Sequence, residues 1–247
     1  PPGAHTEIFR NGERIMKSKY DIFLVDADGT LLDFHASSLA SLKAAFKAFK
    51  REWKEEYKEE FFSLNDELWQ KLERKEITRE RLLSSRFPEF LDRVGEDDIP
   101  GDKFNEKYIE YLSRHPQYYP GAEEFLDKLR SAGKVYIVTN GTYAVQSSRF
   151  RICGLDKKAD GIFVSEKIGC DKPGEAYTEY VVSHIPGFDK RRAVWIGDSV
   201  TADISAANAA GIDSVWFNPD NLDTGGKGFP DYEGDSYAEI LEMLQIS

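Results

Sequence analysis

Apolar residues along this chain follow two different periods, and the change between them divides the sequence. Ile22, Phe23, Leu24 and Val25 form a short unbroken apolar run. Similar runs recur in "KVYIVTN" (134–140), "GIFVSE" (161–166), "AVWIGD" (193–198) and "SVWFN" (214–218). Rich in Val, Ile and aromatics, they predict short strands buried on both faces of a parallel sheet. Helical patterns lie between them. "GAEEFLDKLRSAG" (121–133) follows Pro120 and stops at a glycine, which predicts a helix with a defined start and end. "ADISAANAAG" (202–211) predicts a helix of small residues able to lie close on a sheet. Strand and helix in alternation predict an α/β fold, a doubly wound, Rossmann-like parallel sheet.

The stretch 36–115 has another rhythm. Leu39, Leu42, Phe46, Phe49 and Trp53 recur at spacings of three and four, as do Tyr57, Phe61, Leu64, Leu68 and Leu72. "ITRERLLSSRF" and "KFNEKYIEYLSRH" continue in the same manner. This is helical periodicity with a wide apolar stripe and no strand signal. The expected layout is a sheet core over 16–35 and 116–247, interrupted by an all-helical insertion over 36–115. Residues 1–15 carry no clear period and are read either as leader or added residues ahead of a natural start at Met16, or as a native extension.

Composition narrows the function classes. With 33 basic and 44 acidic residues the formal net charge is −11, which argues against a nucleic-acid polymer as partner. A small anionic ligand remains compatible, because a local cation can override the global field. No apolar run approaches the ~20 residues that span a bilayer, and no signal-peptide pattern is visible. Cys153 and Cys170 are the two cysteines and lack metal-motif spacing, which points to a reducing, cytoplasmic setting.

Polar residues gather where the predicted strands end, the place where parallel α/β sheets bind ligands. Asp26 and Asp28 close the first strand, and Thr139, Asn140 and Gly141 close the second. Asp171 and Lys172 follow the third, and "GDSVTAD", with Asp198 and Asp203, closes the fourth. Carboxylate oxygens suit Mg²⁺, with Mn²⁺ the other candidate. A hydroxyl, a lysine and open backbone N–H groups suit a phosphate.

"DADGT", "TNG", "DKP" and "GDSVTAD", in this order and each at a strand end, resemble the four signature motifs of the haloacid dehalogenase superfamily. The resemblance runs from about residue 20 onward, and the helical insertion resembles that superfamily's cap. It implies a phosphomonoesterase with Asp26 as nucleophile and Asp28 as general acid and base. It places Mg²⁺ on Asp26, Asp198 and the Asp28 carbonyl, with Asp203 in or beside the metal shell. Phosphate would be held by Thr139, by backbone N–H groups around Asn140 and Gly141, and by Lys172. Dehalogenases of the superfamily lack the acid at the position of Asp28 and the metal site, so hydrolysis of a phosphate ester is favoured. A phosphomutase shares all four motifs. A signalling receiver domain uses similar residues in about half this length, and a non-catalytic phosphate binder would not need Asp28.

Substrate choice is expected from the cap, because the core reads only the phosphate. The stretch "LNDELWQKLERKEITRERLLSSRF" resembles the cap of a bacterial branch of house-cleaning pyrimidine 5′-nucleotidases, through Asn65, Trp69, Arg86 and Phe87. The five-residue step from Asp198 to Asp203 agrees with that branch. The resemblance implies UMP, dUMP and dTMP as substrates, against sugar phosphates or phosphoglycolate. On this reading Trp69 or Phe87 stacks on the base and Arg86 or Asn65 reads its polar edge, with core packing beside Leu68 the alternative for Trp69 and a surface or structural pair the alternative for Arg86; the protein is a monomer or homodimer.

Overall fold

The computed structural model describes residues 18–247, together with the backbone of 7–10 and 13–16. Strands β1 (Glu7–Arg10) and β2 (Glu13–Met16) pair as an antiparallel ribbon that the sequence pattern does not predict. The stretch 1–15, read as leader or as native extension, otherwise falls outside the described residues.

The chain divides into two compact units. One holds residues 1–32, 118–141 and 154–247; the other holds 33–117 and 142–153. The segment 142–153, which the sequence pattern assigns to the core, groups with the inserted helices.

The first unit is built on six parallel strands. They are β3 (Ile22–Val25), β4 (Lys134–Thr139), β5 (Gly161–Val164), β6 (Ala193–Gly197), β7 (Asp213–Phe217) and β8 (Tyr232–Gly234). Their order is β5-β4-β3-β6-β7-β8. The chain winds outward through β4 and β5, then returns to the other side of β3, so the strand order reverses at β3 and β6. Beyond the carboxyl ends of these strands lies the crevice such sheets use for ligands. Alternate residues share a face. Leu24, Val138 and Trp195 pack with Tyr177, Val181, Ala206 and Ala207 in one buried cluster.

Two local features depart from the sequence pattern. Strand β8 is three residues long and leaves too short an apolar trace to be read. The expected helix 202–211 is two elements: a π-helical turn over Val200–Ile204, then an α-helix over Ser205–Ala210. Ser199 caps the turn, its hydroxyl accepting from the Ala202 N–H. A π turn sets its side chains at a different angle from an α turn, and such turns recur at functional sites.

The second unit is all helical: α1 (Phe34–Ala48), α2 (Glu56–Glu73), α3 (Arg79–Arg93), α4 (Gly101–Leu112) and the helix Tyr143–Cys153. Asp33 caps α1 through Ala36 N–H at 2.8 Å, and Thr78 caps α3 through Arg81 N–H at 3.1 Å. Its interior is aromatic. Phe46, Tyr57, Phe61, Phe87, Phe90, Phe104 and Tyr108 are buried together, with ring centroids as close as 4.8 Å. Their edge-on and tilted contacts suit the ring quadrupoles. Among the described residues no helix is long and apolar enough to cross a membrane.

Candidate active site

β3 runs buried to Val25, and Asp26 follows with its backbone N–H still on the sheet, donating to the Ile196 carbonyl at 2.9 Å. The strand therefore delivers the Asp26 carboxyl to the crevice, where it is 6% exposed. A tight turn comes next. Gly29 has φ +87°, and a Cβ there would meet the Asp198 carboxylate at 2.2 Å, so both conformation and space demand glycine. Thr30 Oγ1 donates to Asp198 Oδ1 at 3.0 Å, and Tyr237 OH donates to the Thr30 carbonyl at 2.7 Å.

Lys172 is 2% exposed, and its ammonium has three acceptors for three donors. They are Asp26 Oδ1 at 2.5 Å, Asp203 Oδ1 at 2.7 Å and the Val138 carbonyl at 3.0 Å. Burial alone would lower its pKa. The charges of Asp203 and Asp26 outweigh that and hold it above the ordinary lysine value. Asn140 fixes the backbone beneath this lysine. Its amide donates to the Lys172 carbonyl at 3.0 Å and its carbonyl accepts from the Lys172 N–H at 2.9 Å. Thr139 is buried at the end of β4, and its Oγ1 accepts from the Gly141 N–H at 3.1 Å.

One carboxylate oxygen each from Asp26, Asp198 and Asp203 lie within 4.8 Å of one another. Burial pushes the Asp26 carboxyl well above its usual range, with Asp203 and Asp198 adding to the shift against the pull of Lys172. Burial, reinforced by the charge of Asp203, pushes Asp198 up to about 7. Three carboxylates thus face one ammonium, and the surplus of negative charge is relieved either by protons or by a cation. An all-oxygen donor set of this charge fits a divalent cation of the Mg²⁺ type. Asp28 lies two residues along the same loop, half-buried, and its carboxylate is not one of the three that converge.

Several supports of this cluster were not legible as site residues. Trp195 Nε1 donates to Asp203 Oδ1 at 3.0 Å, Ser199 N–H donates to Asp203 Oδ2 at 3.3 Å, and Trp216 Nε1 donates to the Asp198 carbonyl at 2.8 Å. The tryptophans read as strand core, and a single sequence holds no signal for where an indole N–H points.

The residues singled out in the inserted unit lie apart in burial. Asn65 and Arg86 are buried and hydrogen-bonded to each other, Arg86 Nη1 donating to Asn65 Oδ1 at 3.2 Å. Phe87 is fully buried against Phe61, Phe104 and Tyr108. That corrects the expectation of a stacking platform at Phe87, since it has no ring face open. Trp69 is half-buried, with the Arg79 guanidinium 5.5 Å from its ring centroid.

Comparison with known proteins agrees with this geometry. Residues 20–211 match the family described as haloacid dehalogenase-like hydrolase. The pyrimidine 5′-nucleotidase PynA of Streptococcus pneumoniae is 34% identical over 226 residues, 91% of this chain and 95% of that one. The pyrimidine 5′-nucleotidase YjjG of Escherichia coli is 28% identical over 226 residues, 92% of this chain and 98% of that one. The magnesium-bound crystal structure of the HAD-hydrolase YfnB of Bacillus subtilis superposes with a TM-score of 0.87. It is 33% identical and covers 92% of this chain and 99% of that one. With the strand order, the four loop motifs and a match across most of its length, this chain belongs to the haloacid dehalogenase-like hydrolase family.

Proposed function

We propose that this protein is a Mg²⁺-dependent phosphomonoesterase that works through an aspartyl-phosphate and acts on pyrimidine nucleoside 5′-monophosphates. The observation that carries the chemistry is the buried Asp26–Lys172 pair, set beside a carboxylate cluster with surplus negative charge. The substrate class rests on the two relatives named pyrimidine 5′-nucleotidases.

Asp26, Asp198 and Asp203, with the Asp28 carbonyl, would hold Mg²⁺, which supplies charge neutralisation for the phosphate and its carboxylate neighbours. Lys172 favours the ionised form of Asp26 against its burial and orients it. An Asp26 oxygen attacks phosphorus, the bond from phosphorus to the ester oxygen breaks, and Asp28 gives that oxygen its proton. Water then attacks the aspartyl-phosphate. Asp28 takes the proton of that water, and phosphate leaves with Asp26 restored. The Thr139 hydroxyl and the N–H groups of Asn140 and Gly141 hold phosphate oxygens. The last of these first gives up its bond to Thr139.

Discrimination between substrates falls to the inserted unit. Of the four residues singled out there, Trp69 is the one left half-buried, packed against the core of the unit, while Asn65 and Arg86 are buried and tie α2 to α3. The test is phosphate release with Mg²⁺ across nucleoside 5′-monophosphates, sugar phosphates and phosphoglycolate, with Asp26→Asn as blank. The expected result is a preference for UMP, dUMP and dTMP, lost in the blank, and a KM for UMP raised several-fold by Trp69→Ala. Turnover confined to sugar phosphates or phosphoglycolate would sink the substrate class and leave the chemistry standing.

A further inference from the structure

We propose that Trp195 is a positioning residue of the phosphoryl-transfer site, its indole N–H fixing the Asp203 carboxylate and, through it, the Lys172 ammonium that faces Asp26. The catalytic part of this inference rests on the function proposed above.

A wholly buried tryptophan in a central strand is ordinarily core filling, and Trp195 does pack in that way. Its polar atom does something more particular. Asp203 Oδ1 accepts two hydrogen bonds, from Lys172 Nζ at 2.7 Å and from Trp195 Nε1 at 3.0 Å. The lysine therefore reaches an oxygen whose place is set by a ring on β6, the strand held between β3 and β7, and buried against Tyr177, Val181 and Ala206. Gly197 completes the seat, since a Cβ there would lie 2.3 Å from Asp203 Cγ, so the carboxylate rests directly on the strand. Without the indole N–H, that oxygen keeps Lys172 alone. Beyond the lysine, the carboxylate then keeps the longer bond from the Ser199 N–H to Oδ2, at 3.3 Å, and its Oδ1 can shift with the ammonium instead of holding it in line with Asp26. Hydrogen bonds to charged groups are the stronger class, so one lost here is enough to matter to turnover.

The contrast with Trp216 provides the control. Its indole also donates beside the site, but to the Asp198 backbone carbonyl, with no link to Asp203 or Lys172.

Two measurements test the proposal. The first needs no turnover. The four tryptophans give four indole ¹⁵N–¹H resonances, each assigned by its Trp→Phe variant. In Asp203→Asn the Trp195 resonance is expected to move further than that of Trp216. The second is a kinetic cycle. Trp195→Phe is expected to lower kcat about tenfold with KM within about twofold. Combined with Asp203→Asn it should cost no more than Asp203→Asn alone, whereas Trp216→Phe and Asp203→Asn should multiply. A Trp195 resonance unmoved in Asp203→Asn, a Trp195→Phe enzyme within twofold of wild-type kcat, or multiplying losses would each overturn the proposal. If Trp195→Phe fails to fold, the other three variants assign the Trp195 resonance by elimination and the spectrum decides. A coupled indole in a protein without phosphatase activity would retain the positioning and refute the function.

Discussion

Lys172 in the core unit and Arg86 in the inserted unit are both buried cations, and they are held by opposite means. Lys172 sits among carboxylates that outnumber it, with every N–H donor matched by an acceptor. Arg86 has no carboxylate partner among the described residues. It has one amide oxygen, from Asn65, and the faces of Phe87, Tyr108 and Phe61 at 4.8, 5.3 and 5.9 Å. Its Nε is buried with no acceptor. Burial raises the question of compensation for each, and the answers diverge. Around the lysine, opposite charge overrides burial and fixes the ammonium as charged. Around the arginine, burial dominates and draws its pKa down from the ordinary value. One environment is organised for ionic chemistry. The other uses ring quadrupoles and a single amide to tolerate a cation inside an aromatic core.

The largest expected effect comes from removing the cation of the first environment. Lys172→Met leaves three carboxylates without their ammonium, and breaking such a buried pair costs about 3–5 kcal/mol. Denaturant unfolding without divalent cation should show a loss of that size. Phosphate release should fall about 10³-fold, in line with the loss of a preorganised electrostatic partner. Stability unchanged in this variant would mean that the carboxylates already take up protons instead of needing the lysine.

The next effect tests the surplus of charge itself. If the cluster is a divalent cation site, Mg²⁺ at a hundred times its Kd should stabilise the folded protein by about 2.7 kcal/mol, and chelator should reverse the gain. Thermal melts of Asp198→Asn should lose most of this dependence, because one of the three converging oxygens loses its charge. Equal melting temperatures with Mg²⁺ and with chelator in the wild type would remove the cation from the comparison.

Much of the first environment was legible in the sequence, and little of the second. Asp26 and Asp198 stand next to strand signals, Lys172 and Asp203 follow a few residues beyond them, and the chain's alternation of strand and helix brings strand ends to one crevice. Backbone topology alone nearly places them. The Asn140 clasp on Lys172 and the indole bonds of Trp195 and Trp216 depend on side-chain direction, which periodicity does not carry. In the inserted unit the helical stripe was clear, and Phe46, Phe61, Leu64 and Leu68 are buried as the spacing predicts. The spacing could not say that Phe87 lies fully inside, because its neighbour Arg86 makes the local pattern look amphipathic. Nor did it say that Arg86 follows Phe87 inward. A charged residue on a helix defaults to the solvated face, and only the ring cage explains why this one does not.

The smallest effect discriminates most finely. Arg86→Met retains much of the side-chain length and removes a charge for which no described carboxylate compensates. Removing a buried cation that no opposite charge compensates recovers its desolvation cost. The exposed cost here is the orphaned Asn65 Oδ1, about 1–3 kcal/mol when a buried acceptor loses its donor. The two terms oppose each other, so Arg86→Met alone should lie within about 1.5 kcal/mol of wild type. Adding Asn65→Leu removes the acceptor as well, and the double variant should match or exceed wild-type stability, because replacing both partners by apolar groups is nearly neutral. Asn65→Leu alone should be the worst of the three, since it strips the guanidinium of its one hydrogen-bond acceptor. Urea unfolding of the three variants yields the order directly. If instead Arg86→Met proves worse than Asn65→Leu, the cation–ring contacts carry more of the stability than the amide bond does. The inserted unit then holds its arginine chiefly through the ring faces of Phe87, Tyr108 and Phe61.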